Sequence, residues 1–261
     1  MMEVKDDWIN SVDERGRTML HYAAMKGDMI VVKELLANGA DKNLVDKYDF
    51  NPYGYAMRED LYKVAMQILL HKRFTYLDSI KGAGTFGSLL HLAVAKLQPE
   101  HVDVMLSHGV NPNIFDLIQK DTPCHLLVSC FNRNPHIARL IMQLLSDAGG
   151  DLNAKNKEGC TPLHWAIKKT SFQAIQALIE IGLHVSDKKM KVDLSAFCGM
   201  ERQTPMHLAA QSNSHEILQL LLDEKPDLFL ENSKNERPFN AVDNNLLMLK
   251  LIKKEEKRFH Q

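Results

Sequence analysis

Twelve histidines and four cysteines in 261 residues supply enough imidazole and thiol for a metal centre, so their spacing decides what they can do. A zinc site draws its ligands from close pairs, because four donors must converge on one ion. Cys124, Cys130, Cys160 and Cys198 contain no C-x-x-C pair, and His71, His101, His108, His136, His184, His215 and His260 are scattered without paired ligand spacing. Reduced thiols in a cytosol-like compartment are expected, rather than disulfides or a zinc site. No G-x-S-x-G, H-E-x-x-H, P-loop or dinucleotide fingerprint is present. Gly82-Ala83-Gly84-Thr85-Phe86-Gly87 is glycine-rich but lacks the preceding buried strand and the lysine of a phosphate site, so it reads as a flexible hairpin. No catalytic residue, metal or cofactor is expected.

The other five histidines recur in one context. Thr18-Met19-Leu20-His21-Tyr22-Ala23, Thr122-Pro123-Cys124-His125-Leu126, Thr161-Pro162-Leu163-His164-Trp165-Ala166 and Thr204-Pro205-Met206-His207-Leu208-Ala209 repeat one pattern, and Ser88-Leu89-Leu90-His91-Leu92-Ala93 varies it. With histidine as phase marker, His21, Gly54, His91, His125, His164, His207 and Asn240 are separated by 33, 37, 34, 39, 43 and 33 residues. Thr or Ser ahead of a helix can accept one of its unpaired N–H groups, and Pro at the next position suits the first turn. Apolar residues at helical spacing follow, as in Ile137, Leu140, Ile141, Leu144 and Leu145, and turn formers such as Asn38-Gly39-Ala40-Asp41 end each helix pair. A lone pair could not bury its apolar face, but stacked neighbours can.

These segments match the T-P-L-H-x-A signature, so the chain resembles the ankyrin repeat family over about residues 10 to 255. The resemblance implies an all-α solenoid of stacked helix-turn-helix units joined by hairpin-like loops. It also implies that the five repeat histidines brace hairpins against helices. The expected organisation is a cap segment at 1–12, units at 13–45, 46–82, 83–116, 117–155, 156–190 and 191–231, and a degenerate capping unit at 232–261. The fourth unit carries about five surplus residues within Ser129 to His136, and the connector from Asp187 to Gln203 about ten. There, Val192, Leu194 and Phe197 are expected to cover the widened seam between repeats, with extension into a partner groove the alternative.

A net charge of −1 with 25% charged residues marks the chain as neither a nucleic-acid nor a membrane binder. It has no secretory h-region and no apolar run long enough for a bilayer, so a soluble, cytoplasmic monomer is expected. Proteins of this family meet protein partners through the concave surface of hairpin tips and first helices. On that surface Tyr48, Phe50 and Phe86 stand beside Arg15, Arg17, Met25, Lys26, Arg58 and Lys96, the composition of a binding hot spot. Alternatively, Tyr48 and Phe50 fold back to fill space left by the Asn51-Pro52 start. Phe131, Asn132 and Arg133 are expected to project from the fourth unit's loop as a second candidate. Leu145, Asp151, Leu152 and Asn153 resemble the recognition pattern of an asparaginyl hydroxylase acting on ankyrin repeats, which makes Asn153 a modification candidate. The functional expectation is a non-catalytic interaction module, as a stand-alone adaptor or as a secreted microbial effector in a host cytosol. The alternative is an enzyme, or the regulatory subunit of one, with chemistry in the insertions.

Overall fold

The computed structural model describes residues 7–71, 83–84, 87–184, 191–212, 214–241 and 250–253. Phe86 and the connector's start at 187–190 lie outside the described residues. The chain divides into two compact units, Met1–Leu117 and Ile118–Gln261. Each is a series of helix pairs.

The first unit contains α1 (Met19–Lys26), α2 (Met29–Ala37), α3 (Pro52–Arg58), α4 (Tyr62–Leu70), α5 (Leu89–Ala95) and α6 (Pro99–Ser107). Its core joins Leu20 and Leu36 of the first pair to Tyr53, Tyr55, Met57 and Ile68 of the second and Leu89, Leu90, Leu92 and Met105 of the third, all under 2% exposed. The second unit contains α7 (Pro123–Cys130), α8 (Pro135–Asp147), α9 (Pro162–Lys168), α10 (Phe172–His184), α11 (Pro205–Gln211) and α12 (His215–Asp223), with a 3-10 turn at Pro238–Ala241 packed on α11. No helix among the described residues is long and apolar enough to cross a membrane.

Each repeat histidine does two local jobs. The side chains of Thr18, Ser88, Thr122, Thr161 and Thr204 accept the N–H of the histidine three residues on, whose ring in turn accepts the cap's own N–H. This is a capping box with imidazole in place of the usual Glu or Gln, satisfying two otherwise unpaired donors at each helix start. In the second pair the marker histidine is missing; Asn51 caps α3 by accepting the Gly54 N–H at 2.8 Å.

The loops between pairs are built on acceptor side chains. Asp46 Oδ1 accepts from the N–H groups of Tyr48 and Phe50, Asn156 Oδ1 from those of Glu158 and Cys160, and Asn232 Oδ1 from those of Lys234 and Glu236. Successive loop tips within a unit are joined through the backbone: Lys47 N–H donates to the Arg15 carbonyl at 2.9 Å, Lys157 N–H to that of Gln119 at 2.8 Å and Ser233 N–H to that of Glu201 at 2.9 Å. Five residues before the phase marker the tip turns left-handed, with φ of 79° at Gly16, 58° at Asp49, 53° at Lys120, 75° at Gly159, 51° at Arg202 and 58° at Asn235. The loops remain hairpin-like rather than sheet: isolated antiparallel bridges pair Phe50 with Ala83 and Cys198 with Gln203.

Two expectations are corrected at this level. The surplus in the fourth unit is not a projecting loop. A 3-10 turn at Phe131–Arg133 runs straight into α8, which is 13 residues long where α2 has 9. Phe131, expected to project, is 1% exposed and its turn packs against α7, α8 and α10, so the insertion is anchored by an apolar side chain. The thiol expectation also fails for one pair, because Cys160 and Cys198 are joined as a disulfide while Cys124 and Cys130 are free and buried.

Candidate functional site

The first unit gathers a ladder of guanidinium groups and aromatic rings on its loop and first-helix face. Arg17 precedes the α1 cap, and Asp46 opens the next loop; Arg17 Nε donates to Asp46 Oδ2 at 3.2 Å. The Tyr55 hydroxyl donates to the same carboxylate oxygen. Burial pushes the Asp46 carboxyl up, but the Tyr55 hydroxyl, the two loop N–H groups and Arg17 outweigh it and hold the group below the ordinary carboxylate range. Tyr55 is raised, by burial first and then by Asp46. Asp46 is therefore a fixed anion that orients Arg17.

So oriented, the Arg17 guanidinium lies 5.9 Å from the Tyr22 ring centre, 5.8 Å from Tyr48 and 5.2 Å from Tyr55. Arg58, from the end of α3, sits 4.7 Å from Tyr55 and 5.4 Å from Phe50. These distances fall within cation–π range. Tyr22 is also pinned by its hydroxyl, which donates to Asp13 Oδ2 at 2.6 Å. At the outer edge Lys96 donates to the Arg58 carbonyl at 3.0 Å and to Asp60 at 2.7 Å. The face thus offers aromatic rings and cations together. Tyr48 is 59% exposed and Tyr22 40%, whereas Tyr55 is wholly buried.

Arg17, Tyr48, Arg58 and Lys96 are accordingly brought together, while Arg15, Met25 and Lys26 share none of these ring or ion contacts. Phe50 is corrected from a contact residue to a filler: it is 9% exposed, its ring lies against Gly84 and Tyr55, and its carbonyl accepts from His21 Nε2 at 3.2 Å. A Cβ on Gly84 would meet that ring at 2.3 Å, so glycine is what lets Phe50 fold inward. Tyr22, Tyr55 and Asp46 are the members that sequence reasoning missed. The legible signal was aromatic residues directly after the phase marker, at Tyr22, Tyr55 and Trp165.

The second unit bears a smaller relative of this arrangement. Trp165 on α9 has Lys168 and Lys169 ammonium groups 5.8 and 5.5 Å from its ring, and its buried Nε1 has no hydrogen-bond partner among the described residues. Arg202 stacks 4.6 Å over Phe197. Exposed Arg133 turns back toward the Cys130 sulfur at 3.8 Å. Asn153 is half-buried and occupied: its amide donates to the Lys191 carbonyl at 2.6 Å and accepts from the Asp193 N–H at 2.7 Å. Val192 and Leu194 line a cavity of about 110 Å³ with Ile179, Gly182 and Leu183.

The ring nitrogens of the described repeat histidines bond to backbone groups. His125 Nε2 donates to the Cys160 carbonyl at 2.9 Å, His164 Nε2 to that of Ala196 at 3.1 Å and His207 Nε2 to that of Glu236 at 2.8 Å. Burial lowers the pKa of His21 and His207 and pushes His164 down to about 4, keeping the rings neutral. One buried histidine outside the repeat, His101, is hydrogen-bonded through Nδ1 to Tyr53 Oη at 3.1 Å.

Comparison with known proteins agrees with this architecture. A family model for ankyrin repeats in three copies matches residues 90–189 and 126–237, and a single ankyrin repeat model matches residues 15–47. The chain is 29% identical over 133 residues to the B-cell lymphoma 3 protein homolog of Mus musculus, covering 51% of this chain and 27% of that protein. The solved ankyrin repeat domain of Bcl-3 superposes with a TM-score of 0.74 at 20% identity, covering 92% of this chain and all of that one. The human ASB11 ankyrin repeat domain superposes with a TM-score of 0.68 at 20% identity, covering 92% of this chain and 98% of that one.

Proposed function

The chain belongs to the ankyrin repeat family, and from that premise we propose that it is a non-catalytic adaptor which binds a partner protein through the loop and first-helix face of its first unit. The observation that carries this reading is the pair of exposed rings, Tyr22 and Tyr48, beside a guanidinium that is itself fixed by Asp46. Rigid aromatics lose little side-chain entropy on contact, and Tyr and Arg dominate binding hot spots. Arg58 and Lys96 continue the same face, with Arg15, Met25 and Lys26 at its border.

The test is a pull-down from lysate followed by calorimetry with the protein captured. Tyr22→Ala with Tyr48→Ala should weaken binding by about 2 kcal/mol or more while leaving the helical circular dichroism intact. Phe50 is left in place, because a buried ring tests folding rather than contact. Unchanged affinity in that variant, with affinity lost in Trp165→Ala, would refute the first-unit site and move the contact to the second unit.

A further inference from the structure

The connector before α11 is fastened to the loop before α9 by three kinds of bond. Asn153 holds its start through the Lys191 carbonyl and the Asp193 N–H. His164 holds its middle, and the Gly199 N–H donates to the Glu158 carbonyl at 2.9 Å. The third fastening is covalent: Cys160 and Cys198, 38 residues apart in sequence, are joined with their Cα atoms 4.4 Å apart. Of these fastenings, the sulfur bond is the one that a change of redox state makes or breaks directly.

Its position couples it to the Trp165 face. Cys160 immediately precedes Thr161, the cap of α9, and Cys198 forms the backbone bridge with Gln203 that flanks the Arg202 tip. Lys168 Nζ lies 3.4 Å from Cys160 Sγ, pairs with Glu158 at 3.7 Å and stacks on Trp165. The sulfurs are buried, but the side chains of Lys168 and Glu158 beside Cys160 are 36% and 54% exposed and can swing away. The Lys168 ammonium beside the Cys160 sulfur favours the thiolate, the species that attacks and forms disulfides, while the Glu158 carboxylate 3.9 Å from the same sulfur opposes it. The other two thiols, Cys124 and Cys130, are free and buried, and burial pushes the Cys124 thiol up to about 12.

We propose that Cys160 and Cys198 are a reversible thiol–disulfide pair that clamps the connector to the α9 loop when oxidised and frees it when reduced, resetting the Trp165, Lys168 and Arg202 face. Oxidation needs a disulfide such as oxidised glutathione. The Cys160 thiolate attacks it, forming a mixed disulfide and expelling one glutathione thiolate; the Cys198 thiolate then attacks the Cys160 sulfur and expels the second. Reduction by a dithiol reverses this: two electrons pass to the protein sulfurs, the reductant closes to its own disulfide, and its two thiol protons end on Cys160 and Cys198.

The experiment equilibrates the intact chain across a series of reduced and oxidised glutathione, quenches with acid and alkylates differentially for peptide mass spectrometry. Cys160 and Cys198 are expected to lose alkylation together as the buffer becomes oxidising and to regain it with dithiothreitol. Limited trypsin cleavage after Arg202 should be slow in the oxidised protein, fast in the reduced one, and fast in Cys198→Ser under either condition, with helical circular dichroism retained. Free alkylation of both cysteines throughout the series would overturn the proposal, as would glutathione adducts without an intramolecular bond. Cleavage after Arg202 that ignores redox state would overturn it too.

Discussion

Acidification should loosen this protein through His164, and the size of the effect follows from its surroundings. The ring accepts the Thr161 N–H at Nδ1, 3.2 Å away, and donates from Nε2 to the Ala196 carbonyl, so it must stay neutral to keep both bonds. Burial lowers its pKa from 6.5 to about 4. The unfolded chain therefore takes up a proton near pH 6.5 and the folded chain only near pH 4. Between those values the unfolded state binds more protons, so the contribution of this histidine to stability falls as pH falls and is flat outside the window. The 2.5-unit difference corresponds to about 3 kcal/mol at 1.36 kcal/mol per unit. His21 and His207 shift in the same direction for the same reason and add to the slope. The assay is urea unfolding by circular dichroism from pH 7.5 to 4, comparing the wild type with His164→Ala. At pH 7.5 the variant should be less stable by about 1–3 kcal/mol, because the Ala196 carbonyl loses its donor. The gap should then close as pH falls, since only the wild type loses the histidine's contribution. A gap that stays constant from pH 6.5 to 4 would refute the argument.

Gly84→Val should destabilise the first unit by about 1–3 kcal/mol, because a Cβ there meets the Phe50 ring and φ is 59°; a coincident wild-type denaturant midpoint would contradict the packing. Lys42 lies buried across the end of α4, donating to the Ile68 carbonyl at 3.0 Å, the Leu69 carbonyl at 3.3 Å and the His71 carbonyl. Lys42→Met keeps the stem but removes that cap, and should cost about 1–3 kcal/mol in thermal or urea unfolding.

Much of the scaffold was legible because its rules are local. Thr161, Pro162 and His164 fall within one helical turn, and each supplies a chemical function that the helix start requires. The same locality explains the failures. Whether Phe50 faces water depends on Gly84, more than thirty residues away, and Phe131 is buried by α8 and α10. Aromatic composition beside Arg17 and Arg58 was visible in the string; which rings point outward depended on Asp46 and Tyr55, whose partnership joins a loop to a helix. The cysteines misled because spacing rules for thiols describe neighbours in sequence. In stacked repeats the neighbour in space is about one period away, and the lengthened connector shifts Cys198 to nine residues before His207 while Cys160 lies four before His164.

The left-handed loop tips bear on how such a scaffold could be rebuilt. At Gly16 and Gly159 the backbone has the residue it favours; Asp49 and Asn235 have short polar side chains that tolerate this region, whereas at Lys120 and Arg202 a long side chain is kept against a penalty of about 1–2 kcal/mol. An engineer who returned those four tips to glycine would harden the framework and erase most of what distinguishes one tip from the next. One who randomised them would vary outward-facing chemistry without touching a single core contact. Backbone strain thus becomes a map for library design, separating the positions a binder can diversify from those its folding must keep.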